Sequence, residues 1–153
     1  MTPAALDAAI PAGETILLDT SAVLAYLSGA GAASATAAAI IDGFVAGGRN
    51  QAIVSVITVT EALVRPMRAG SSTAIRLVED FLLQFPNLRI DTVTVGVARE
   101  AARIRAATAA PTPDALILAT AVEASASIVV GNVASWRSLA KRAKLQTRIL
   151  VLA

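Results

Sequence analysis

Residues 15–21 read Thr15-Ile16-Leu17-Leu18-Asp19-Thr20-Ser21: an aliphatic run closed by a carboxylate and two hydroxyls, then a helix-forming stretch. An apolar run without polar alternation is the pattern of a strand buried on both faces of a parallel sheet. Parallel strands need crossover connections, so helices must cover the sheet. Asp19 then stands at the carboxyl end of the first strand, where open α/β sheets receive their ligands. The same position is the N-cap of a helix beginning near Ala22. Both roles are open at this point.

The rest of the chain repeats this unit. Strand patterns fall at residues 16–18, 51–55, 88–91, 127–130 and 148–152, with helical patterns between them. Residues 1–14, with Pro3, Pro11 and Gly13, read as a short helix or loose lead-in. Helices are predicted over 22–27, ended by Ser28-Gly29, and over 34–45, stopped by Gly47-Gly48. Thr58 with Glu61 three residues on has capping-box spacing, so the next helix is predicted to start there and to end or kink at Pro66. Ile75, Val78, Leu82 and Phe85 mark the inner face of the following helix, and Glu79-Asp80 its wet side. Further helices are predicted over 95–107, from Thr112 as cap, and over the basic stretch 134–144. Strands alternating with helices define an α/β fold: a three-layer α/β/α sandwich around a mainly parallel sheet of about five strands. At 153 residues, with no linker or repeat, residues 1–153 are expected to form a single domain.

Composition restricts the chemistry. The chain has no cysteine and no histidine. That removes imidazole and thiolate catalysis and the usual zinc sites. Clustered carboxylates remain the most plausible tools, and these suit Mg²⁺ or Mn²⁺. Net charge is +2, but residues 1–60 balance to −3 and residues 61–153 to +5, so an anionic partner belongs on the second half. Mean hydropathy is high at +0.68. The uncharged run between Asp19 and Asp42 is nevertheless rich in Ala, Gly and Ser rather than large aliphatics, which argues against a membrane span. With no basic leader at the N-terminus, a cytoplasmic location is expected.

In such a fold the strand carboxyl ends share one rim. Asp19, Glu61, Asp114 and Asn132 all fall just after strands or at helix starts on that rim. Glu61 could equally close its capping box, and Asp114 suits a helix N-terminus for electrostatic reasons alone. Asp91 is a second strand-end carboxylate. Arg99 and Arg103 share one helix face, either solvated or facing RNA, with Glu100 placed to pair with Arg103.

Leu17-Leu18-Asp19-Thr20-Ser21, Thr58-Val59-Thr60-Glu61, Pro113-Asp114-Ala115-Leu116-Ile117 and Ile128-Val129-Val130-Gly131-Asn132, with Trp136 beyond, occur in the order and spacing of one family. Taken together they resemble the PIN-domain family and, within it, the VapC-type toxins of bacterial toxin–antitoxin pairs. The resemblance implies an Mg²⁺- or Mn²⁺-dependent endoribonuclease that works as a homodimer and is silenced by a cognate antitoxin. Carried over by position, Asp19, Glu61, Asp114 and Asn132 match catalytic positions, with Asp19 and Asp114 as metal ligands. Val133 stands where the family has a fourth acid, and it cannot bind a hard cation. Ser21 is expected to hold Asp19, Glu61 to bind or orient water, and the basic residues of the last helix to contact RNA phosphates. Trp136 is either a base-stacking or a core residue. An aspartyl-phosphate enzyme of haloacid-dehalogenase type would want a second acid where Ser21 stands. The stronger rival is a PIN fold catalytically impaired through Val133 that survives as an RNA- or protein-binding module.

Overall fold

The first strand carries the sheet. In the computed structural model, which describes residues 1–152, β1 (Thr15–Leu18) pairs in parallel with β2 (Gln51–Ser55) on one side and β4 (Ile128–Gly131) on the other. β3 (Leu88–Asp91) flanks β2, and β5 (Arg148–Val151) flanks β4. The order is β3-β2-β1-β4-β5, and every pairing is parallel. The expected α/β architecture and strand positions are therefore observed.

The pleat sorts the core. Ile16, Leu18, Ala52, Val54, Ile128 and Val130 face one helical layer: α1 (Pro3–Ala9), α2 (Thr20–Ser28), α3 (Ala32–Ile40), α4 (Val56–Arg68) and α5 (Ser72–Gln84). Leu17, Ile53 and Val129 face the other: α6 (Val95–Thr108), α7 (Thr112–Glu123) and α8 (Trp136–Arg142). Residues on both faces of β1, β2 and β4 are buried, which explains why these strands read as unbroken apolar runs. α3 continues into a π-helical turn, Ile41–Val45. The uncharged run thus folds as two helical segments bent by 104°, and no single helix among the described residues is long and apolar enough to cross a membrane.

Several helix boundaries differ from expectation. α4 starts directly after β2: Ser55 is its N-cap and accepts from the Ile57 N–H at 3.3 Å. Thr58 is therefore inside the helix and fully buried, and there is no capping box. Two hydroxyl residues three apart compete for one cap, and the one at the strand end wins because no loop intervenes. Pro66 neither ends nor shortens α4, which runs two residues further with the ring in its last turn. α7 has Pro111, not Thr112, at its cap, and α8 begins at Trp136 rather than 134 because 133–136 form a turn.

From β1 the chain moves outward through β2 to β3, then returns to β4 beside β1 and leaves through β5. The direction of winding reverses between β1 and β4. A crevice opens at such a switch point, at the carboxyl ends of the strands. Because Leu17 is fully buried on the central strand, Leu17→Ala is expected to lower unfolding free energy by about 2–5 kcal/mol in chemical denaturation.

Candidate functional site

Asp19 lies at this switch point. It follows the last residue of β1, caps α2 by accepting from the Ser21 N–H at 3.2 Å, and is 4% exposed. The capping and site roles are thus compatible in one carboxylate. Ser21 Oγ donates to the same oxygen, Oδ2, at 2.5 Å. Ser21 Oγ in turn accepts from the Asn132 N–H at 2.7 Å, so one hydroxyl joins the end of β4 to the end of β1. The Asp19 N–H donates to Val130 O at 2.9 Å and closes the same seam in the backbone.

Gly131 makes this approach possible. A Cβ there would lie 3.1 Å from Asp19 Oδ2 and 3.4 Å from Ser21 Oγ. Gly131→Ala must push the carboxylate or the hydroxyl aside by a few tenths of an ångström. The variant is expected to stay folded but to lose about 1 kcal/mol or more of stability, as overpacking does. A melting curve beside that of the unsubstituted protein checks this.

Glu61 reaches the same turn from α4. Released from the capping box, it takes the hydroxyl of Thr20: Thr20 Oγ1 is 2.5 Å from Glu61 Oε2 and 3.1 Å from Thr58 Oγ1. One hydroxyl hydrogen serves one acceptor, and an ionised carboxylate is the stronger. Thr58 then donates to Thr20. Asp19 and Glu61 are close enough to repel: burial chiefly, and then the Glu61 charge, push the Asp19 carboxyl above its ordinary 3.8, against the lowering effect of the Ser21 and Thr20 bonds.

Asp114 projects from the first turn of α7 and accepts from Trp136 Nε1–H at 3.1 Å through Oδ2. Asn132 is exposed, and its backbone rather than its amide makes the bond to Ser21. Val133 is partly buried and packs against the cluster that holds Trp136 and Leu139. Among the described residues, no three acidic side chains gather into a set that could hold a metal ion. The structure joins Asp19 to Glu61, and places Asp114 with Trp136.

Among the described residues three acids meet an arginine, and this pair does not. Asp91, also at a strand end, is neutralised by Arg89 at 2.8 Å. Glu100 binds Arg103, whose Nη1 also donates to Ala143 O at 2.9 Å; that arginine ties α6 to the end of α8. Among the described residues neither Asp19 nor Glu61 has a basic partner within ion-pair distance. A buried carboxylate is normally paired, protonated or bound to a cation. Oxygen donors, a repelling pair and no basic neighbour fit a hard divalent cation that keeps several waters, since Mg²⁺ needs only one or two carboxylates. Trp136 is buried and cannot stack on a base. Arg137, Lys141 and Arg142 are exposed along α8 and form no ion pair among the described residues.

A five-stranded parallel sheet in this order, with an acid at the switch point, defines a small α/β domain with an acidic crevice. The PIN domain family matches residues 16–134, and the chain belongs to that family. No curated protein matches the sequence. Among solved structures it is similar to VapBC2 from Rickettsia felis bound to a promoter DNA fragment: TM-score 0.70, 13% identity, covering 91% of this chain and 99% of that one. A toxin–antitoxin complex from Klebsiella pneumoniae gives TM-score 0.57 and 20% identity over 77% and 86% of the two chains. VapC20 of Mycobacterium tuberculosis, described as a Sarcin-Ricin loop cleaving toxin, gives 0.57 and 18% over 74% and 86%.

The raised Asp19 pKa carries a stability consequence. The folded chain holds this proton to a higher pH than the unfolded chain, so it binds more protons between 3.8 and the folded value. Stability therefore falls as pH rises through that window and stays lower above it. Asp19→Asn keeps an acceptor for Ser21 and removes the charge. Its melting temperature is expected to match the unsubstituted protein in acid and to exceed it increasingly towards neutral pH without metal. A pH series of thermal melts in EDTA checks this; a variant less stable at neutral pH contradicts it.

Proposed function

We propose that this single-domain protein is a metal-dependent endoribonuclease that acts as the toxin of a toxin–antitoxin pair in the cytoplasm, as a homodimer restrained by a cognate antitoxin. The observation that carries the reading is Asp19: a buried carboxylate at the switch point, beside Glu61, with no basic partner among the described residues. Family membership and the likeness to toxin–antitoxin structures support the substrate class and the partner.

In this reading Asp19 and Asp114 hold Mg²⁺ or Mn²⁺, and the exposed Asn132 lines the crevice beside them. When bound, such an ion polarises the phosphate and lowers the pKa of a water. Ser21 keeps the Asp19 carboxylate in one orientation by donating to Oδ2. Glu61, fixed by Thr20, accepts a hydrogen bond from the attacking water and orients it. Arg137, Lys141 and Arg142 contact RNA phosphates, adding affinity without sequence information.

A second reading rests on Val133, which packs into the apolar cluster where an acid would serve the site. It makes the chain a catalytically impaired domain that binds RNA or protein. One experiment separates the two: purified protein, freed of antitoxin, is incubated with a cellular RNA pool in Mg²⁺, Mn²⁺ or EDTA. Fragments are expected with either ion, none in EDTA, and none from Asp19→Asn. A folded protein that retains RNA yet yields no fragments with either ion favours the binding module.

A further inference from the structure

The loop after β4 brings no acid to the rim, yet it touches both of the outer carboxylates. Through the Asn132 N–H and Ser21 it sets Asp19. Through Trp136 it holds Asp114 directly, Nε1 to Oδ2 at 3.1 Å. Trp136 is the only tryptophan of the chain and is 3% exposed. Its indole packs in the cluster of Leu139, Ala115 and Leu118, and the backbone N–H of Trp136 donates to Val133 O at 3.1 Å, so both ring and backbone are fixed. A buried indole N–H must find an acceptor, and here the acceptor is an ionisable group on another helix. The Asp114 side chain has no other hydrogen bond among the described residues.

We infer that Trp136 is a positioning residue for Asp114, occupying Oδ2 and turning Oδ1 towards the crevice as a single-oxygen ligand. The inference rests on the metal-binding reading above and adds a determinant of that site outside the acids. An aspartate free to rotate spends only part of its time with an oxygen in ligating position. One locked by a rigid donor is preorganised, and loss of such an outer partner commonly weakens metal affinity 10- to 100-fold.

The test is Mn²⁺ binding followed by the electron paramagnetic resonance of the free ion. The unsubstituted protein is compared with Trp136→Phe, Asp114→Asn and the double variant. Trp136→Phe keeps the ring in the core and deletes only the donor; it is expected to weaken Mn²⁺ binding about tenfold. In the Asp114→Asn background the same change is expected to have no further effect, because Trp136 acts through that carboxylate. Equal affinity of Trp136→Phe and the unsubstituted protein overturns the positioning role while leaving the metal site intact. Absence of binding sensitive to Asp114→Asn in the unsubstituted protein overturns the metal reading and this inference with it. Should Trp136→Phe not fold, the tryptophan itself is the readout. Its emission is expected to shift on Mg²⁺ titration of the unsubstituted protein and not of Asp114→Asn; unchanged emission while Mn²⁺ still binds overturns the inference.

Discussion

The crevice depends on the hydrogen bond from the Asn132 N–H to Ser21 Oγ. A serine hydroxyl can accept one hydrogen bond while donating another, and Ser21 does both, accepting from Asn132 N–H and donating to Asp19 Oδ2. The bond crosses between β1 and β4, the two strands where winding reverses. Nothing else about a switch point aims a side chain; topology only opens the gap. The donation to Asp19 is charge-assisted and so among the stronger hydrogen bonds a fold makes. Gly131 leaves it undisturbed, since a Cβ there would press on both partners.

Around this seam the chain treats its acids in two ways. Asp7, Asp91 and Glu100 each meet an arginine. Asp19 and Glu61 meet only neutral donors: Ser21 for one, Thr20 for the other. Neutral hydroxyls orient a carboxylate without cancelling its charge. Burial chiefly, and then the uncancelled Glu61 charge, raises the Asp19 pKa, and the ionised form weakens the fold near neutral pH. An arginine would remove this cost and occupy the space of a cation. Destabilisation concentrated at one turn is the usual mark of a site built for a ligand.

The strands were legible because β1, β2 and β4 are buried on both faces, and burial leaves continuous aliphatic runs. Asp19, Asn132 and Asp114 do lie at strand ends or in a first helical turn, where turn chemistry is readable, whereas Glu61 lies in the second turn of α4. Helix starts were less legible. Ser55 and Thr58 are equally good caps on paper, and only the absence of a loop after β2 decides between them. That choice mattered, since it turns Thr58 inward and frees Glu61 for Thr20. The bonds from Asn132 to Ser21 and from Trp136 to Asp114 link segments far apart in the chain, and no local pattern encodes them. Arg103 shows the same limit: its spacing to Glu100 was readable, its bond to Ala143 O was not.

Val133 is best understood through what its loop does with backbone atoms. The Asn132 N–H, which sets Asp19, and the Val133 carbonyl, which accepts from Trp136 N–H, are main-chain groups. Neither changes with the side chain at position 133. A valine there removes a negative charge from the rim but leaves the frame that orients the remaining acids. It also joins the apolar cluster around Trp136, which helps hold the indole that bonds Asp114. An acid in the same place would be drawn towards water and could not pack there. Under the proposed metal-binding reading, the apolar side chain gives up one ligand position and supports the indole that anchors another, and a hard cation that keeps most of its waters requires no more than two carboxylates.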